Sequence, residues 1–258
     1  MQGHATSASI TQIRQLTPSV RELNLEVHDA AMTFEPGQWV DFFIDGVDTV
    51  GGYSITSSPA TLPNLRLAIK YSKHAPAHWV HSSAAVGDEV NVRPGGSFLW
   101  NPGAHPPPLV LVAGGIGITP LLSILETAAE LAHRDSAGWT SPRAVQLLYS
   151  CSSPEEVLQP GRLGELLHTF KGGLHVQLHL TQTDSTHRAV SGLHDSVSTL
   201  EFGRIQASHL QAAVQPGALG GSPPHVFVCG PPAMTDEVVA HMTDMGVASS
   251  YLHFERWW

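Results

Sequence analysis

At 258 residues, 42% of them hydrophobic, the chain has room for two ordinary domains and is too apolar to be a disordered one. A formal charge of −9, with 13 Lys and Arg against 22 Asp and Glu, argues against the basic face that nucleic acid or an anionic membrane surface would require. Cys151 and Cys229 are the only cysteines and lie in separate apolar runs, so a disulfide framework is not expected and a reducing compartment is the simpler setting.

Met1 to Ile10 carries neither a hydrophobic signal core nor an Arg-rich amphipathic stretch. Strand patterns follow, with Val20, Leu23, Leu25 and Val27 in the first, then Trp39 to Ile44, Tyr53 to Thr56, Leu65 to Tyr71 and Glu89 to Val92. In Leu65, Leu67, Ile69 and Tyr71 apolar residues alternate strictly, as a strand with one buried face requires. Turn signals at Pro36-Gly37, Asp45-Gly46, Pro63-Asn64 and Gly87-Asp88 separate these runs, and the rhythm predicts a small antiparallel β-barrel.

The Pro/Gly run from Asn101 to Pro108 can continue neither a helix nor a central strand, which places a domain boundary at 104/105. After it, Leu109 to Val112 reads as a strand buried on both faces. Thr119 is expected to cap a helix that Pro120 opens, with Leu121, Leu122, Ile124, Leu125 and Ala128 on its apolar face. Strand signals recur at Val145 to Tyr149, Val176 to Leu180 and Val226 to Cys229, with helical segments between. That alternation predicts a Rossmann-like parallel sheet over 105–258. Thr181 to Pro224 carries no legible pattern. No apolar run approaches the roughly 20 residues of a membrane span.

Two local motifs carry chemistry. Ala113-Gly114-Gly115-Ile116-Gly117-Ile118-Thr119-Pro120 joins a buried strand to a helix start, where glycines admit a diphosphate and free N–H groups attract it. It lacks the G-x-G-x-x-G spacing, and taken alone it could be a plain Gly-rich turn. Cys229-Gly230-Pro231-Pro232-Ala233-Met234 follows the last apolar strand of the sheet, at the edge where open α/β sheets bind ligands. Taken alone, its thiol reads as a small buried hydrophobe. His74, His78 and His81 could share a helix face, and His175 and His179 share a strand face. No nearby carboxylate or Cys completes a metal set, so no metal site is expected.

Together the two motifs resemble those of the ferredoxin–NADP⁺ reductase superfamily. Phe34-Glu35-Pro36-Gly37-Gln38-Trp39, Tyr53-Ser54-Ile55-Thr56-Ser57-Ser58-Pro59 and Gly87-Asp88-Glu89-Val90 extend the likeness over about Ile10 to Trp258. The Gly51-Gly52-Tyr53-Ser54 start and the Phe254-Glu255-Arg256-Trp257-Trp258 ending look most like the subgroup named for its oxidoreductase NAD-binding domain, from which a mitochondrial location is inferred. The resemblance implies that Gly114, Gly115, Ile116, Gly117, Ile118, Thr119 and Pro120 hold the diphosphate of NAD(H) or NADP(H). Cys229 would sit beside the nicotinamide, supported by Gly230, Pro231 and Met234. Tyr53 would pack on a flavin ring, Ser54 would hydrogen-bond near its N5, and Ile55 completes that motif. Trp258 would cover the second flavin face, unless the tail is simply anchored by packing.

The departures fall on the phosphate side. The Arg that pairs with the flavin diphosphate corresponds to Gly51, and a second diphosphate loop of the pattern G-x-x-S-x-W falls on His74, Ala77 and Trp79. Lys70, or a histidine among His74, His78 and His81, would have to compensate; otherwise flavin binds weakly, or FMN replaces FAD. At the end of the second α/β strand, Ser150 to Ser153 could serve either dinucleotide. Glu155 and Glu156 would repel a 2′-phosphate, which favours NADH, although Arg188 could reach in from the unread segment.

The expected activity is hydride transfer from nicotinamide C4 to flavin N5 at a cleft between the domains, and then electron transfer to an external acceptor, protein or small molecule. Two cysteines cannot hold an iron–sulfur cluster. The competing expectations are an NAD(H)-binding module of the same fold that has lost flavin and catalysis, and a scaffold subunit of a redox complex.

Overall fold

The computed structural model describes residues 4–103, 106–134, 144–219 and 223–256. Contacts group the chain into two units, Met1–Asn101 with Leu122–Thr127, and Pro102–Leu121 with Ala128–Trp258. The boundary expected at 104/105 lies outside the described residues.

The first unit contains β1 (Thr6–Thr17), β2 (Val20–Val27), β3 (Trp39–Ile44), β4 (Val47–Ser54), β5 (Asn64–Lys70), α1 (Ala75–Ser82) and β6 (Glu89–Gly95). The strands form one antiparallel sheet in the order β4-β3-β6-β1-β2-β5. A bridge between Ile55 and Leu67, reinforced by the Thr56 N–H on the Arg66 carbonyl at 2.9 Å, joins the two outer strands and closes the barrel. Alternation does the packing: Leu65, Leu67 and Ile69 of β5 meet Val40 and Phe42 of β3 and Val90 and Val92 of β6 in one buried cluster. β1 escaped the sequence pattern because mostly polar residues fill it. It becomes a strand because β2 and β6 flank it and supply backbone partners on both sides.

Helix α1 starts with no side-chain cap from His74 and carries Pro76 in its first turn. Its far end is tied down by Arg21, whose guanidinium donates to the Val80 carbonyl at 3.1 Å. His78 and His81 both approach the Tyr71 ring, and each has a polar partner: His81 Nε2 meets the Ile69 carbonyl at 2.9 Å, and His78 Nδ1 meets the Ser82 hydroxyl at 3.3 Å. Among the described residues, no three His, Cys, Asp or Glu side chains stand close enough to share a metal ion.

The second unit contains β7 (Leu109–Gly114), α2 (Ile118–Arg134, whose stretch Leu122–Thr127 groups with the first unit), β8 (Val145–Cys151), α3 (Pro160–Thr169), β9 (Leu174–Leu180), β10 (Thr199–Phe202), α4 (Ala207–Val214), α5 (Pro216–Leu219), β11 (His225–Gly230), α6 (Pro232–Asp244) and β12 (Leu252–Arg256). All six strands are parallel, in the order β10-β9-β8-β7-β11-β12. The central β7 is buried at every residue, as its unbroken apolar run requires. The outer strands β10 and β12 were not expected, because an edge strand is half-exposed and needs no apolar run.

One detail of the sequence reading is corrected. The helix begins at Ile118, straight after a tight turn over Gly115–Gly117, so Thr119 lies inside it and Pro120 is its third residue. The Thr119 hydroxyl does not cap; it donates to the Ile116 carbonyl at 2.8 Å. Pro120 is tolerated because the first four N–H groups of a helix have no intrahelical partner. Among the described residues, Gly115–Arg134 is the one helix with the length and mean hydropathy, 1.2, of a membrane span, but 67% of its apolar window is buried inside the protein.

His179, near the carboxyl end of β9, is fully buried, with neither ring nitrogen in hydrogen-bonding geometry with a partner. Burial, and then the His209 ring 4.6 Å away, pull its pKa from 6.5 down to about 4, against a weak opposing pull from the Gly203 backbone. The folded state therefore holds the neutral imidazole, whereas the unfolded chain takes up a proton near pH 6.5. Stability is intact above pH 6.5 and is lost as the pH falls toward 4. His179→Phe is expected to remove on the order of 2 kcal/mol of that acid-side loss, read from urea unfolding at stepped pH. An equally steep slope in the variant would assign the loss to other groups.

Candidate functional site

In the parallel sheet, successive connections run from β7 outward through β8 and β9 to β10, while β11 and β12 lie on the other side of β7. The chain direction thus reverses between β7 and β11, and the crevice at the carboxyl ends of those two strands is where open α/β sheets bind ligands. Both sequence motifs end there. Cys229 is in register with Ala113, which sets Gly230 beside Gly114.

The glycines at this point have different physical reasons. A Cβ on Gly114 would lie 2.6 Å from Met234 Sδ and 2.8 Å from Pro231 Cδ, and one on Gly230 would lie 3.1 Å from Gly114 Cα. A Cβ on Gly117 would overlap the backbone carbonyl of Cys229. These three let the turn after β7 and the turn after β11 touch backbone to backbone, with the Met234 side chain of α6 packed against both. Gly115 differs: its φ is +54°, a conformation other residues adopt at a cost, and a Cβ there would meet nothing within 4 Å. Gly114, Gly117, Ile118, Thr119 and Pro120 are buried, so Gly115 and Ile116 are the two residues of the motif that reach the surface. Pro231 is exposed, Met234 is half-buried, and Cys229 is fully buried.

Next to this crevice, the ends of β8 and β9 run on together. The Thr181 and Gln182 N–H groups donate to the carbonyls of Cys151 and Ser152, both at 2.9 Å. Beyond them Thr181, Gln182, Thr183, Asp184, Thr186 and His187 line a cavity of about 420 Å³. His187 Nε2 stands 3.6 Å from the Glu155 carboxylate. The backbone N–H of Glu155 itself, then the Ser153 hydroxyl, hold that carboxyl below its ordinary range, and the Thr186 hydroxyl and N–H do the same for Asp184. Both are anions at neutral pH. Burial pushes the Cys151 thiol up to about 12, so it stays protonated there. Asp184, Thr186 and His187 were missed because they fall in the stretch without periodicity. The usable signal was a Thr-Gln-Thr-Asp-Ser-Thr run directly after an alternating strand, at the ligand edge of the sheet.

In the first unit, Tyr53, Ser54 and Ile55 close the end of β4, with Ser54 opposite Trp39. Tyr53 packs edge-to-face on Phe42 at 5.7 Å. Its ring folds back along the strand over Gly51: a Cβ there would lie 2.5 Å from Tyr53 Cε2 and 3.0 Å from the phenolic oxygen. That oxygen is buried with no hydrogen-bond partner, and burial pushes the phenol pKa well above its ordinary value. Ser54, Ser57 and Ser58 are buried around the same turn. Ala77, in place of the serine of the second diphosphate pattern, is 2% exposed and belongs to the barrel core. Lys70, the last residue of β5, is exposed. Trp257 and Trp258 lie outside the described residues.

The family model of the oxidoreductase NAD-binding domain matches residues 111–240, from inside β7 to inside α6. Oxidoreductase NAD-binding domain-containing protein 1 of Danio rerio is 37% identical over 258 residues, covering 98% of this chain and 92% of the relative. Ferredoxin–NADP reductase B of Sorangium cellulosum is 29% identical, over 100% and 99% of the two chains. Among solved structures, the flavohem-like FAD/NAD binding domain of nitric oxide dioxygenase from Vibrio cholerae aligns at a TM-score of 0.76 with 22% identity, covering 98% of each chain. A closed antiparallel barrel, a parallel sheet with two glycine turns at its switch point, and 37% identity to a named relative over 98% of the chain agree: the chain belongs to the oxidoreductase NAD-binding domain-containing protein 1 family of the ferredoxin–NADP⁺ reductase superfamily.

Proposed function

We propose that the protein binds NADH and passes its hydride to a flavin. The observation that carries the nucleotide half is Gly115, left-handed and open to solvent at the start of a buried helix, on the switch point of the sheet. Gly115 and Ile116 hold the dinucleotide diphosphate through backbone N–H groups at the positive end of the helix. The cavity past β9 takes the adenosine end. Glu155 and Asp184, both anionic, repel a 2′-phosphate and make NADH the better substrate.

The flavin half rests on the first unit. A flavin, when bound, supplies an acceptor for the hydride at its N5. The residues present fit its ring in kind: the half-buried Tyr53 offers an aromatic surface, and Ser54, Ser57 and Ser58 make the turn polar. Those relatives whose names specify a chemistry support the same reading, being a ferredoxin–NADP reductase and an FAD/NAD binding domain. The diphosphate side does not fit, since Gly51 brings no charge and Ala77 faces the core. This favours a second reading, in which the chain is an NAD(H)-binding module without flavin chemistry.

The two readings separate when purified protein is mixed anaerobically with flavin and dinucleotide. Bleaching of the flavin band, faster with NADH than with NADPH, is expected; NADH binding by calorimetry with no bleaching would establish the second reading. Glu155→Lys is expected to shift the NADH-over-NADPH preference by roughly tenfold toward NADPH in the same assay, and an unchanged ratio would remove Glu155 from cofactor choice.

The glycines provide a third check. Gly115→Ala should fold, at a stability cost of about 1 kcal/mol, and weaken NADH at least about tenfold, because its methyl fills the space left for the ligand. Gly117→Ala should instead lose about 2 kcal/mol or more in urea unfolding, because its methyl meets a backbone carbonyl that cannot move aside. Equal NADH affinity in wild type and Gly115→Ala would place the diphosphate elsewhere.

A further inference from the structure

We infer that flavin is a dissociable substrate of this protein, recognised through its isoalloxazine ring and not through its phosphates, so that riboflavin, FMN and FAD serve alike. The inference rests on the flavin reading above and turns on what Gly51 does. The Tyr53 ring lies where a side chain at position 51 would run, with the phenolic oxygen 3.0 Å from the place of a Cβ. A glycine there is therefore the condition for the ring position of Tyr53, and the same glycine removes a cation from the phosphate side. One residue makes both choices.

The other cations of the first unit do not replace it. Its four arginines are all engaged within the unit. Arg14 bonds Glu22 at 2.8 Å, and Arg21 bonds Gln15 and the Val80 carbonyl, both at 3.1 Å. Arg66 pairs with Glu126 at 3.2 Å, and Arg93 Nε donates to Asp41 at 2.8 Å. Lys70 and Lys73 are exposed on the surface, where a flexible ammonium contributes little to holding an anion. The start of α1 adds no cation or hydroxyl: Pro76 lacks even an N–H, and the Ala77 side chain belongs to the core. A buried guanidinium on a phosphate is worth about tenfold or more in affinity, and no such group is available. What remains in place is the ring side: the half-buried aromatic ring of Tyr53, beside the polar turn of Ser54, Ser57 and Ser58.

The reaction balances without a resident prosthetic group. One NADH, one oxidised flavin and one proton give NAD⁺ and dihydroflavin, with the hydride going to N5 and the solvent proton to N1. Dihydroflavin then leaves and reduces its acceptor in solution.

The test is a fluorescence-quenching titration of the purified protein with riboflavin, FMN and FAD at two ionic strengths, alongside calorimetry with NADH. Three dissociation constants within about threefold of one another, insensitive to salt, are expected. Tyr53→Ala should weaken all three by a similar factor; should that variant fail to fold, the wild-type series already decides. FAD binding at least tenfold tighter than riboflavin, weakening with salt, would overturn the inference while leaving hydride transfer to flavin standing; so would FAD retained stoichiometrically through purification. No binding of any flavin, with NADH still bound, would overturn the flavin reading itself.

Discussion

The contact on which the nucleotide site depends is the approach of two backbones at the ends of β7 and β11. Gly114 and Gly230 come so near that a Cβ on one would sit 3.1 Å from the Cα of the other, and Met234 fills the remaining gap. Parallel neighbours in a sheet are normally separated by side chains once the hydrogen-bonded ladder ends. Here glycine at each strand end lets both loops turn away without opening a gap, and Gly117 lets the first turn of the next helix rest on the Cys229 carbonyl. The helix start is thereby fixed against the crevice by backbone atoms, which have no rotamers to search. A ligand anchored on such a point meets donors already in place.

That constraint also divides the motif into residues that build and residues that touch. In a string of eight, the buried members form the floor, and only Gly115 and Ile116 are left at the surface. Cys229 belongs with the floor in this structure, as a fully buried residue whose backbone carries Gly117. The neighbouring carboxylates work by a different principle. Glu155 and Asp184 are held ionised by local hydrogen bonds from hydroxyl and backbone donors, so their charge does not depend on a cationic partner.

Much of this was legible in the residues. β3 follows the alternation of Trp39 to Ile44 to the residue, and β2 and β5 follow theirs closely, because each has one face buried and one exposed. The unbroken run at Leu109 marked the central parallel strand for the same kind of reason. What escaped was whatever owes its conformation to neighbours. β1 is ordered by the strands on either side, β10 and β12 are edges, and the cavity wall from Thr181 to His187 is a loop whose position comes from hydrogen bonds to Cys151 and Ser152. The start of α2 was misplaced by two residues because a glycine turn can enter a helix before any capping side chain is reached.

Glycine serves opposite purposes in the two units. At the crevice of the second, removing side chains brings backbone close to backbone and leaves Gly115 facing open space that a ligand can fill. In the barrel, the space freed at Gly51 is filled at once by the protein's own Tyr53 ring. The first arrangement leaves room for a ligand at a helix start; the second leaves none, because the protein's own ring takes it. Position 51 thus cannot be treated as a simple loss. An arginine placed there would first have to displace the Tyr53 ring from its present position.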